Sequence, residues 1–279
     1  MDDAHDVDDA ARLAGYIETW WSSVTDLTAL LDELDEQDWT RPTDLAGWTV
    51  HDVAAHIAHL EKVLAGDGEE HAEIGDPPPA HVTSLFAHYT EIGVVNRRTH
   101  APGAVVAEIR DATARRRAQL LADPPTDPAG APAIVPGGVP WTWNTLLRNR
   151  PLDVWMHEQD VRRAVGRPGG LHTPGADHTV SYLAESFGYV VAKKAGAPAG
   201  TTAVLVVVGE DPVGVTVTED GKGRRLDALP GRPTVVLEMD RETFIRLAGG
   251  RGSTAHELVR LEGDHELGQR IVAAMATTP

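Results

Sequence analysis

The stretch RNRPLDVWMHEQDVRRAVGRPGG, residues 148–170, carries the pattern from which the rest of the chain can be read. Asp153 and His157 stand four apart in it. On a helix they share one face, with Cβ atoms roughly 5–6 Å apart, close enough to bind one metal ion. The helical pattern runs from about Trp143 to Val165 and closes at Gly166, with Pro168 just beyond. Pro151 complicates it, because a residue without an N–H breaks a helix interior. The alternative is a helix that begins at Pro151 and places Asp153 in its first turn, where a carboxylate simply complements the positive end of the helix dipole. That plainer reading accounts for Asp153 and leaves His157 unexplained.

Toward the N-terminus, VHDVAAHIAHLEKVLAG repeats the four-residue spacing in Asp52 and His56, with His51 and His59 nearby. His56 lies between Ala55 and Ile57, with Val53 and Leu60 on adjoining turns, which places it toward a bundle interior; His51 comes too early in the helix to be assigned inward. A lone inward histidine is commonly a hydrogen-bonded core residue. Two helices that each present one shift the balance toward a metal site. Further upstream, Leu13, Ile17, Trp20, Val24, Leu27, Leu31 and Leu34 recur at three- and four-residue intervals, the stripe of a long amphipathic helix over residues 8–35. Pro42 and Gly47 separate it from the His56 helix. The DPPPA segment at residues 76–80 leads into a third helical stretch, from about 81 to 122, interrupted near Pro102 and Gly103. Residues 123–141 are too rich in Pro and Gly for regular structure; a loop of this length lies beside a site or is mobile. Four such helices predict a bundle, whose interior suits a site built from facing side chains.

Beyond about residue 174 the character changes. A helical HTVSYLAESFGYVVAKKAG precedes the apolar run TAVLVVVG and the alternating VGVTVTED, both strands by their β-branched content. PTVVLEMD predicts a further strand, and DRETFIRLAGG and DHELGQRIVAAMA predict helices. The order implies a small α+β domain. The chain therefore divides into a helical domain over 1–170 and an α+β domain over 171–279.

Composition bounds the chemistry. The 42 acidic and 25 basic residues give a formal charge of −17, which repels a phosphate backbone and an anionic membrane surface alike. Nucleic acid and membrane are not expected as partners. No cysteine occurs, so any metal must rest on His, Asp, Glu or solvent, and any sulfur nucleophile must come from outside the chain. The acidic start, MDDAHDVDDAARL, lacks the pattern of a signal peptide, and no apolar run approaches membrane-spanning length; the cytoplasm is the expected compartment.

The run DWTRPTDLAGWTVHDVAAHIAHLE, followed about a hundred residues later by DVWMHEQDVRRAVGRPGG, resembles the mycothiol-dependent maleylpyruvate isomerase family within the DinB-like helical-bundle superfamily. TVVLEMDRETFIRLAGGRG with LVRLEGDHELGQRIVAAM resembles the sterol-carrier-like (SCP2-like) C-terminal domain of that family. The resemblance implies metal ligation by His56, Asp153 and His157, where the family commonly carries Glu in place of Asp153. Two imidazoles and one carboxylate suit zinc, nickel or iron, with zinc as the default and a further position open. Asp52, Glu158 and Asp160 are candidates for orienting the histidines from behind, with ion pairing to Arg162 or Arg163 as the competing reading of the last two.

The resemblance further implies mycothiol as cosubstrate, activated as thiolate, in either reversible addition to a double bond with cis–trans isomerisation or S-transfer to a small electrophile. It also places a substrate-carboxylate role on Arg251, with Arg246 and Arg260 as competitors and a solvated surface arginine as the bland alternative. The expected partners are a small thiol and an electrophile, on a monomer or homodimer. Two other classes stay open: a binder of an apolar ligand with a non-catalytic metal, and a metal-dependent hydrolase with Glu158 or Asp52 as base.

Overall fold

A computed structural model describes residues 3–251 and 253–278. Two compact units emerge, Met1–His178 and Thr179–Pro279. In the first, α1 (Asp3–Asp32) lays its apolar stripe on α5 (Trp143–Val165) and α4 (Pro102–Ala122); α2 (Val50–Lys62) packs on α4, on α3 (Leu85–Arg97) and on α5. Leu13, Ile17, Trp20, Val24, Leu27 and Leu31 are all buried, as their spacing predicts, whereas Leu34 lies past the helix end and is only partly buried.

Residues 81–122 form two helices rather than one interrupted helix. The chain turns at residues 98–101 and restarts with Pro102 in the first turn of α4, where its missing N–H costs nothing. Among the described residues the unit thus contains five complete α-helices, with α3 flanking α2. The helix of α5 likewise does not start at Pro151. Thr142 caps it by accepting from the Thr145 N–H, Gly166 closes it in the left-handed region at φ 67°, and Pro151 sits inside, leaving the Leu147 carbonyl without its helical donor. Asp153 is therefore a mid-helix residue, and the dipole explanation for it fails.

In the second unit, α6 (Pro174–Ala184) carries the division between the two units, followed by a single turn, α7 (Phe187–Tyr189), and a wide turn over Val190–Lys194. Residues before the division pack on the bundle: His178 Nε2 pairs with the Arg148 carbonyl at 2.8 Å, and Gly175 sits against Ser23 and Trp155. The sheet has the order β3-β2-β1-β4-β5, from β1 (Thr202–Val207), β2 (Val213–Val217), β3 (Gly223–Arg225), β4 (Val235–Met239) and β5 (Arg260–Gly263). Among these strands only the β1–β4 pairing is parallel, with Val204 opposite Val236. β1 is central, which explains its near-continuous apolar run, while β4 alternates buried and half-buried residues. Helices α8 (Arg241–Ala248) and α9 (His265–Ala273) complete the unit, the first capped by Asp240 and the second by Asp264. Among the described residues no helix is long and apolar enough to cross a membrane.

Candidate metal centre

His56 comes from the middle of α2, whose start is set by a reciprocal cap: the Thr49 side chain accepts from Asp52 N–H, and the Asp52 carboxylate accepts from Thr49 N–H. Asp153 and His157 come from one face of α5. The three residues converge, with one ligand atom from each lying within 4.8 Å of the others. Asp153 Oδ1 is 3.6 Å from His157 Nε2, and Asp153 Oδ2 is 3.7 Å from His56 Nε2. The imidazole rings of His56 and His157 meet edge to face, with centroids 4.9 Å apart. These separations, measured from different Asp153 oxygens, are too long for hydrogen bonds and on the scale of the roughly 3.4 Å edge of a tetrahedron with 2.1 Å ligand bonds. The donor set and its spacing fit one divalent cation. Both histidines are buried, and Asp153 retains 22% of its side-chain exposure, so solvent reaches the cluster at the carboxylate.

Electrostatics prepare the three groups differently. Burial pushes the His56 imidazole down to about 4, with Asp153 offsetting only part of the effect, so His56 is neutral at pH 7. Burial also opposes charge on His157, but Asp153 and Asp160 outweigh it and hold its pKa above the ordinary value. Burial alone would raise the Asp153 carboxyl; Arg150 and the two histidines instead hold it well below the usual carboxylate range.

Of the three residues considered for orienting the histidines, only Asp160 does so. Its Oδ2 accepts from His157 Nδ1 at 3.1 Å, while Oδ1 accepts from Arg163 at 2.5 Å. With Nδ1 committed as donor, His157 presents Nε2 to the cluster. Asp52 is spent on the α2 cap and on Arg98 at 3.5 Å. Glu158 is fully buried and pairs with Arg162 at 2.6 Å. Neither Asp52 nor Glu158 joins the ligand cluster, and each is already engaged, Asp52 in the α2 cap and Glu158 with Arg162.

Several contributors were not foreseen. Arg150 donates to Asp153 Oδ2 at 2.8 Å and is itself held by Glu61 at 2.7 and 3.1 Å. Glu61 also accepts from Arg116 at 2.9 Å and from the Trp20 indole at 3.0 Å, and Glu61, Arg116 and Arg150 are all buried. The Trp48 ring lies 5.1 Å from that of His56 and 6.3 Å from that of His157. Its indole donates to the buried Glu91, which His81 and Arg98 hold from other sides. The sequence signal was available: Val50, Ala54 and Ile57 form the buried stripe of α2, and Glu61 continues it, as Arg116 continues Ile109 and Thr113 on α4.

His59, one turn beyond His56, is buried against Gly93 and Tyr89 and does not join the cluster. The Pro/Gly-rich loop lines a cleft of about 670 Å³ together with Glu69, Tyr89 and Ile92, and Glu69 pins it by accepting from Gly137 N–H and the Tyr89 hydroxyl. None of the three candidate ligands lines this cleft, so it is not the metal centre. In the second unit, Arg251 is buried and donates to the Gly249 carbonyl and, at 3.2 Å, to the Thr278 hydroxyl. Arg260 is a surface residue paired with Glu238 and Glu262.

Comparison with known proteins agrees with this architecture. A family model described as the mycothiol maleylpyruvate isomerase N-terminal domain matches residues 20–162, and one described as the MDMPI C-terminal domain matches residues 177–270. Comparison with curated proteins finds no match. Two crystal structures share the fold: the mycothiol-dependent maleylpyruvate isomerase, with a TM-score of 0.53, and a histidine-to-alanine mutant of a protein of that name, with a TM-score of 0.55. Each is 20% identical to this chain, and the match covers 90% of this chain and 92% of theirs. The chain belongs to the mycothiol maleylpyruvate isomerase family and is an enzyme.

Proposed function

We propose that this enzyme holds a divalent metal on His56, Asp153 and His157 and uses a low-molecular-weight thiol, mycothiol, either to isomerise a small electrophile or, by S-transfer, to form a thiol conjugate with it. The observation that carries the reading is the convergence of two buried imidazoles and one carboxylate at ligand spacing, in a family named for thiol-dependent isomerisation. A bound cation, zinc by default, supplies an open coordination position at which an external thiol is held as thiolate at neutral pH.

The chain's own groups set the conditions for that chemistry. His56 is neutral at pH 7 because it is buried, so one ring nitrogen can ligate without a net loss of a proton. His157 is kept in the tautomer that presents Nε2 by Asp160. Trp48 walls the histidines with an apolar ring fixed through Glu91. The chain has no cysteine that competes with an external thiol. Addition of a thiolate to an activated double bond, rotation and elimination of the same thiolate gives cis–trans isomerisation. Addition followed by protonation of the adjacent carbon gives a stable conjugate instead.

The DinB-like character of the bundle, the sterol-carrier-like character of the second unit, and a substrate-carboxylate role for Arg251 belong to the same proposal. The test is direct. Purified protein is analysed for metal, reloaded with Co²⁺ and titrated with mycothiol or a close cysteinyl-pseudodisaccharide; a sulfur-to-metal charge-transfer band in the near ultraviolet is expected. Bound cobalt with no such band for any cellular thiol would refute the thiol step.

A further inference from the structure

Asp153 turns both of its donor atoms toward the cluster, each oxygen facing the Nε2 of a different histidine. Carboxylates left to themselves ligate through one oxygen or two, and the choice changes the coordination number. In this protein Oδ2 is already engaged by Arg150 Nη1 at 2.8 Å. That guanidinium is not a mobile surface group. It is 2% exposed, gripped by Glu61 through Nε and Nη2, and Glu61 is in turn held by Arg116 and the Trp20 indole. Arg116 stacks over the Trp20 ring at 4.6 Å, which closes the set. Four charges alternate in sign along Arg116, Glu61, Arg150 and Asp153, and they sum to zero. α4, α2 and α5 each contribute to the relay, so the position of Arg150 is set by the packing of the bundle.

We propose that Arg150 is a positioning residue: by occupying Asp153 Oδ2 it confines the carboxylate to ligation through Oδ1, and so keeps the coordination number low and a position open for the thiol. This inference rests on the metal reading above. It assigns a function to the buried arginine–glutamate relay, which ligand spacing alone does not require. A buried ion network is weak support for stability by itself, because desolvation offsets most of the attraction. Its alignment on one oxygen of a ligand carboxylate gives it a different use.

The experiment is visible absorption of the full-length protein saturated with Co²⁺, because four-coordinate cobalt absorbs far more strongly than five- or six-coordinate cobalt. Wild type is expected to show the intense band. In Arg150→Met the freed Asp153 oxygen joins the metal and the band weakens several-fold, while Arg150→Lys, which keeps a cationic donor, restores most of it. Should Arg150→Met fail to fold, Glu61→Gln combined with Arg150→Met removes one buried charge of each sign and leaves a neutral amide oxygen to accept from Arg116 and Trp20. An unchanged band in cobalt-saturated Arg150→Met, or in the double variant, would overturn the inference. A weakening that Arg150→Lys does not reverse would overturn it too, because lost packing would then be the cause. Wild type that takes up no cobalt would sink the metal reading itself, an outcome distinct from the other two.

Discussion

Replacing Asp160 by alanine tests how the centre is organised without touching a candidate ligand. The carboxylate is fully buried, accepts from His157 Nδ1 at 3.1 Å and pairs with Arg163. Arg163 retains Asp44 at 2.7 Å, so the variant does not strand a charge. What is lost is the acceptor that fixes the His157 tautomer and strengthens Nε2 as a donor. Losses of this kind cost about 10- to 100-fold in metal affinity, which corresponds to about 1.4–2.7 kcal/mol. The size of the effect depends on pH in a defined direction. Asp160 also helps hold the His157 pKa above its ordinary value, and a proton on Nε2 competes with metal. Removing Asp160 weakens both the metal and its competitor, so the affinity gap is widest near pH 8 and narrows toward pH 6. Competition for zinc against a chromophoric chelator at several pH values measures it, with far-UV circular dichroism as the control for folding. Wild-type affinity in folded Asp160→Ala at pH 8 would refute the reasoning.

His56→Ala and His157→Ala should each strip the metal while leaving circular dichroism nearly unchanged; Asp153→Ala should weaken binding less completely and Asp153→Glu should retain it, all read by metal analysis after dialysis. Glu61→Ala leaves Arg116 and Arg150 buried without their shared acceptor and should cost about 3–5 kcal/mol of stability, measured by urea denaturation; a loss under about 1 kcal/mol would mean the relay is solvated. In metal-free protein the His56 contribution to stability should fall as pH drops from 6.5 to about 4, because the unfolded chain protonates His56 before the folded chain does, against an opposite contribution from the raised His157. The contribution is about 3 kcal/mol at 1.36 kcal/mol per pH unit. Denaturation of metal-free His56→Gln should show a shallower acid slope, and equal slopes would exclude His56 as the source.

Periodicity read the helices well because a buried stripe must recur every three to four residues wherever it packs. It placed α1, α2 and α5 and the inward faces of His56 and His157, and it recognised β1 as an apolar run, but left Asp153 open between a candidate ligand and a first-turn carboxylate. It missed the break before α4, since Pro102 reads equally as an interruption or as a first-turn residue. It also could not pair charges across helices. Glu61 and Arg150 lie 89 residues apart, and a charge is ordinarily assigned to a solvated face. Only the coincidence of one charged residue on each of three apolar stripes betrays the relay. Asp52 was misjudged for a related reason: a carboxylate three residues into a helix serves the cap before it serves a neighbour.

The Glu61–Arg150 pair joins α2 to α5, the same two helices that contribute His56, Asp153 and His157. If contacts of this kind hold the two helices together without an ion, binding of an ion is not coupled to assembly of the bundle, which equal stability of apo wild type and metal-free ligand variants would show. A site of that kind cannot use folding to discriminate between cations. Occupancy of the proposed site would then follow intrinsic affinity and supply, and in a mixture of first-row ions at equal free concentration copper is expected to displace nickel, and nickel cobalt, in the Irving–Williams sequence. If the proposed site is loaded in a cell, the metal it takes up then depends on what that cell leaves available, and material from a foreign host is expected to report the host's metal pool.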